Sequence, residues 1–293
     1  MIKARLMAAT KTCLKKAGAS VALCALLLLA QMAFATPSTT FWTPETLDIQ
    51  PFGVVHLGID NYFRTKFNPG DGQFPTDLTL PTIGVLPFQK VQMEIGVDYF
   101  ATLAHPWLFN GKFGTPEGSF FKWQPAVEFG AYNVGQDFDD TFPGNPFGQP
   151  RIDYDIIYGV VGKSIPHIGR FSVGPYFVTN EDALISQSLF WRGDTAAIDD
   201  LGWMIAFDHG MLPKKDEKGA VLYNRLVLAA DYQSGENALG AVGGGAYWYF
   251  TPNISLLVGP TVFNDSTING RWKMTTQLDI NLPKIGGWHH HHD

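Results

Sequence analysis

Val91-Gln92-Met93-Glu94-Ile95-Gly96-Val97-Asp98-Tyr99 alternates strictly: Gln92, Glu94, Gly96 and Asp98 fall at even positions, with Val91, Met93, Ile95, Val97 and Tyr99 between them. Successive side chains of a strand point to opposite faces, so this stretch builds one polar wall and one apolar wall. The same pattern occurs near the end of the chain, where Lys273, Thr275, Gln277, Asp279 and Asn281 oppose Met274, Thr276, Leu278, Ile280 and Leu282. It also occurs at the start of the repeating region, where His56, Gly58, Asp60, Tyr62 and Arg64 oppose Val55, Leu57, Ile59 and Phe63.

Working outward, further strands are expected near 76–87, 107–114, 122–134, 151–164, 168–179, 199–208, 221–234, 238–250 and 253–264. The total is about twelve, within a range of 10–14, because residues 180–198 have room for another hairpin. Pro87-Phe88, Pro166-His167, Ser234 to Asn237 and Thr251-Pro252 read as tight links, and 66–75, 135–150, 180–198, 209–220 and 264–270 as longer loops. Short turns alternating with long loops suit a barrel with two unlike rims, an alternation that a sandwich does not require. Aromatic residues make up 14% of the chain and gather near strand ends, as in Tyr247-Trp248-Tyr249-Phe250, where a membrane interface would seat them.

The first residues read as an export signal. Lys3, Arg5, Lys11, Lys15 and Lys16 precede the apolar run Val21 to Ala30, and Ala33-Phe34-Ala35 offers a small-residue cleavage site. That run is too short to cross a bilayer as a helix, and nothing later approaches the length needed. The expected organisation is a signal peptide at 1–35, one barrel at 36–288 and a His-rich tail at 289–293. Removing 35 of 293 residues takes away Cys13 and Cys24, the only cysteines, and five basic residues, so the formal charge falls by five from −6 to −11. Disulfide scaffolds are thereby excluded, and nucleic acid is a poor partner for so acidic a chain.

Together these features resemble the Gram-negative outer-membrane β-barrel superfamily over nearly the whole exported chain. The segments Val91 to Tyr99 and Ala230 to Gly235 are similar to those of uncharacterised porin-like barrels. The resemblance implies a single all-β antiparallel transmembrane barrel in the cell outer membrane. It also implies as partners outer-membrane lipid and lipopolysaccharide, the barrel-assembly machinery and small hydrophilic solutes, with no cofactor. Barrels of this class usually end on an aromatic residue, whereas here Trp288 is followed by His289 to His292 and Asp293.

If the polar walls face inward, the lumen receives Glu94, Asp98, Lys112, Glu128, Arg225, Asp231 and Asp279, with Asp60, Arg64, Asp153, Asp155, Asp208 and Lys273 also on the wall. Rings of Asp and Glu favour cations, which points to a narrow diffusion pore with cation bias. Opposite charges pairing across the lumen would instead close it, leaving a structural or surface-binding barrel that acts through its external loops. A lipid-modifying enzyme is the third reading. Outer-membrane phospholipases of about this size place a His and a Ser two apart on one strand face, and no His-x-Ser occurs in the chain. No catalytic residue and no metal ligand is therefore assigned. The four C-terminal histidines, and Asp137, Asp139 and Asp140 among Phe138, Phe142 and Phe147, are candidates without a fixed ligand geometry. Gly243-Gly244-Gly245 lacks the strand-loop-helix setting of a phosphate cradle and reads as room for bulky neighbours.

Overall fold

A computed structural model of the chain describes residues 41–43, 47–64, 76–101, 103, 106–135, 151–185 and 198–282. Among these, twelve strands pair antiparallel in chain order: β1 (Val55–Phe63), β2 (Asp77–Gly84), β3 (Gln92–Phe100), β4 (Trp107–Thr115), β5 (Ala126–Val134), β6 (Ile156–Ile165), β7 (Gly169–Val178), β8 (Leu201–Lys215), β9 (Val221–Gln233), β10 (Ala241–Thr251), β11 (Ile254–Phe263) and β12 (Trp272–Leu282). β1 pairs with β12 from Val55↔Leu282 to Phe63↔Met274, so the sheet closes and no edge is left unpaired. The proposed signal segment, residues 136–150 of the expected loop 135–150, Trp288 and the histidine tract lie outside the described residues.

Alternation sets the two walls as the sequence implies. In β12, Lys273, Thr275, Gln277, Asp279 and Asn281 are buried inside. In β3 the same holds for Glu94 and Asp98, while Ile95 is exposed outside. The outer surface carries Ile59, Trp107, Phe109, Phe129, Phe171 and Trp203 among many exposed apolar side chains.

The inward wall is not polar all round. Ile156, Tyr158, Val160, Tyr176, Val178 and Met204 of β6–β8 turn inside and form an apolar core with Leu47, Leu184, Leu239 and Ile268. One flank of the lumen is therefore apolar while the other carries charge.

Two connections differ from expectation. Residues 209–215 continue β8 and leave only the turn 216–220, where Asp216 accepts hydrogen bonds from the backbone N–H of Lys218 and Ala220. Ser234 to Asn237, read as a tight link, belong to a longer connection, 234–240, that sits at the opposite rim together with the other long connections. The compact charge run had suggested a loop, but the cross-strand pairs Pro213↔Asn224 and Lys214↔Tyr223 extend the ladder through it. Residues 151–155 precede β6 as irregular backbone, and residues 181–185 are helical rather than the start of a hairpin. At the short-turn rim Glu117 bonds Lys163 at 2.8 Å and accepts from the Ser164 N–H. Desolvation raises its carboxyl, but these hydrogen bonds outweigh it and hold the group below its ordinary value.

Candidate functional site

The lumen contains a stretch of the chain itself. Residues 41–43 and 47–54 precede β1 and run inside the barrel between the two rims. At the short-turn rim Gly53 donates to the Gly84 carbonyl, and Phe52 bridges Gly84. Higher up, the Gln50 N–H donates to Glu94 Oε2 at 2.5 Å. Asp48 takes two 2.7 Å hydrogen bonds from the Arg170 guanidinium, whose Nε also donates to Asp208. Near the long-loop rim Asp231 Oδ2 accepts from the backbone N–H of Trp42 at 2.8 Å and of Thr43 at 3.0 Å, and the Trp42 indole donates to the Leu239 carbonyl.

Small residues in the wall make the space for this segment. A Cβ at Gly84 would lie 2.2 Å from the Gln50 carbonyl oxygen, and one at Gly243 would lie 2.4 Å from Phe41 Cβ. The glycine run therefore seats a bulky ring, but that ring is Phe41 of the inner segment, packed against Tyr247 with centroids 5.7 Å apart. Phe41 is fully buried.

Beside this segment, toward the long-loop rim, lies a cavity of about 140 Å³. Four carboxylates line it (Asp60, Asp77, Glu94 and Asp98) with one ammonium, Lys112, and its aromatic walls include Trp42, Tyr62, Phe100, Tyr132 and Tyr158. Lys112 stands between Glu94 at 3.8 Å and Glu128 at 3.9 Å. Glu128 also accepts from the Tyr158 hydroxyl at 2.9 Å.

The seven residues singled out from the sequence thus separate into groups. Glu94, Lys112 and Glu128 form one buried network, and Asp98 lines the same cavity and accepts from Asn110. Asp231 anchors the inner segment. Asp279 pairs with His56 at 3.5 Å. Arg225 lies over the Trp248 ring, 5.0 Å from its centroid. Of the others, Asp153 takes both arms of Arg151, Asp155 accepts from the Gly135 N–H, and Lys273 donates to the Asn269 carbonyl.

The sequence reading missed Asp77, the anchoring role of Arg170 and the whole inner segment. The hairpin register could have revealed Asp77, because it lies directly across from Asp60.

One constellation bears on the enzyme reading. His56 Nδ1 meets Asn281 at 2.8 Å, its Nε2 faces Asp279, and the Ser255 hydroxyl donates to the other Asp279 oxygen at 3.2 Å. The hydroxyl is bonded to the carboxylate rather than to the imidazole, so no nucleophile–base pair is formed, and both side chains are buried.

No protein-family profile matches the chain, and no curated protein matches it in sequence. An outer-membrane channel from Pseudomonas putida F1 is similar at 9% identity over 82% of this chain and 99% of that one, with a TM-score of 0.41. Outer-membrane phospholipase A from Escherichia coli shows 9% identity over 87% of this chain and 98% of its own, TM-score 0.36. The N-terminal β-barrel domain of Pseudomonas aeruginosa OprF shows 10% identity over 80% of this chain and all of its own, TM-score 0.19.

The chain's own geometry defines its class. Twelve strands close with every edge paired, the outside is apolar and the inside holds the buried charges, an arrangement that only a lipid surround satisfies. The protein is a twelve-strand transmembrane β-barrel.

Proposed function

We propose that the protein is a channel for small hydrophilic cations that rests closed, with the inner segment formed by residues 41–43 and 47–54 as its internal gate. The observation that carries this reading is the inner segment, which continues from the start of β1 and is otherwise held by polar anchors near both rims. Backbone N–H groups bonded to wall carboxylates can be exchanged for water, so the burial of Phe41 and Leu47 is what withdrawal of the segment has to overcome. Acidic groups left on the wall once the segment withdraws would favour cations. On this reading residues 1–35 are removed on export, and outer-membrane lipid and lipopolysaccharide surround the barrel after its assembly.

Planar-bilayer recording tests the reading. The exported chain should be silent or open rarely, and a form shortened to begin at residue 51 should give stepwise, cation-selective conductance. In that shortened form, Glu94→Gln with Asp98→Asn should move the reversal potential toward that of a non-selective pore. If the shortened barrel folds but never conducts, the protein is instead a closed barrel that binds through its surface, the reading that the packed β6–β8 flank favours.

A further inference from the structure

The cavity beside the inner segment has the chemistry of a binding site for an organic cation. Asp60 and Asp77 are directly opposed across β1 and β2, and Asp98 is paired with Thr79, two positions further along β2. Like charges directly opposite in an antiparallel pair destabilise it, so this juxtaposition calls for a compensating positive charge. Lys112 is placed with Glu94 and Glu128 rather than between these three carboxylates. Asp98 is only 9% exposed. Its Oδ2 accepts from Asn110, while its Oδ1 has no hydrogen-bond partner, and neither has Asp77 Oδ1. Two buried acceptors without donors, on residues that line one cavity, cost stability until something supplies N–H groups.

The remaining walls fit the same ligand. Trp42, Tyr62, Phe100, Tyr132 and Tyr158 present ring surface to the space, and aromatic faces attract cations. No set of three His, Asp or Glu among the described residues is disposed to chelate a metal ion. A cavity of about 150 Å³ holds a benzene-sized molecule, so the space here, about 140 Å³, suits about six heavy atoms. The two-residue offset between Asp77 and Asp98 corresponds to about 7 Å along the strand, close to the span of a four-carbon chain with an ammonium at each end.

We propose that this cavity binds a short aliphatic diamine, one ammonium between Asp60 and Asp77 and the other on Asp98. Binding here does not require that the barrel ever conduct, so calorimetry and conductance fail separately.

The experiment is isothermal titration of the exported chain, folded in detergent micelles at low salt, with 1,4-diaminobutane, the neutral 1,4-butanediol and the quaternary amine choline. The diamine should bind saturably, the diol should not, and choline should bind more weakly because its nitrogen has no N–H to offer the unpartnered oxygens. Asp77→Asn with Asp98→Asn should weaken diamine binding by about ten- to hundredfold, as expected for loss of charge-assisted hydrogen bonds. Folding of each variant is read from its heat-modifiable mobility on gels. Asp77→Asn alone should raise the unfolding temperature of the ligand-free barrel by relieving the cross-strand repulsion, and should diminish the further rise that the diamine produces. Equal binding of diamine and diol, of diamine and choline, or of diamine to the parent and the double variant overturns the proposal. So does absence of binding by folded protein, or a lowered unfolding temperature for Asp77→Asn.

Discussion

Replacing Asp231 by Ala should open the barrel. One oxygen of Asp231 accepts from the N–H groups of Trp42 and Thr43 and, at 3.4 Å, from the Thr43 hydroxyl, so the substitution removes the anchor nearest the long-loop rim. Hydrogen bonds to a charged group contribute about 1.5–3 kcal/mol, so loss of this anchor should raise the open-to-closed ratio about ten- to hundredfold. Arg170→Met removes a second anchor by freeing Asp48, which the guanidinium grips through both terminal nitrogens. The two anchors share no partner, so their effects should add within a few tenths of a kcal/mol and the double variant should open most of the time. Single-channel open probability in planar bilayers is the measurement. A folded double variant that stays silent would remove the gate from the account.

The second large effect is on stability. Lys112 is buried between Glu94 and Glu128, which are themselves 2% and 0% exposed. Lys112→Met would leave two carboxylates inside the barrel without their shared cation, and breaking a buried ion pair from one side costs about 3–5 kcal/mol. Adding Glu94→Gln and Glu128→Gln should recover most of that loss, since replacing the whole charged set is far cheaper than stranding part of it. Urea unfolding of the barrel in lipid vesicles reads both outcomes. A single Lys112→Met that unfolds like the parent would mean that the network contributes nothing to stability. Glu94 also accepts from the Gln50 N–H, so loss of Lys112 should loosen the inner segment as well.

The strands were legible because a transmembrane barrel imposes period two on nearly every residue it uses. Val91 to Tyr99 and Trp272 to Leu282 show it without interruption, and their even or odd parity assigned the walls correctly. Parity was less informative in β6–β8, where both faces are apolar and alternation carries little contrast. The misread connections at 209–220 and 234–237 have a related cause. Charge and glycine content signal exposure, and an exposed strand that extends beyond the lipid has the same composition as a loop.

The inner residues 41–43 and 47–54 could not be placed from sequence. Their apolar members, Phe41, Trp42, Leu47 and Ile49, follow neither a strand nor a helix period, and their hydrogen bonds go to groups as far away as Asp231 and Arg170. A segment whose partners are spread over the barrel wall leaves no local signature.

From the sequence alone came the closed antiparallel barrel of about twelve strands, the apolar exterior and the expectation that Glu94, Asp98, Lys112, Glu128, Arg225, Asp231 and Asp279 line the lumen. These follow from side-chain alternation and from the need to satisfy every backbone group in lipid. Which charges meet, and what fills the space between them, was decided only by closure of the sheet. Closure brings Lys112 between two glutamates, sets Asp60 against Asp77 and threads the chain's own N-terminal residues past Gly84 and Gly243, because cross-strand register and lumen width are properties of the assembled ring.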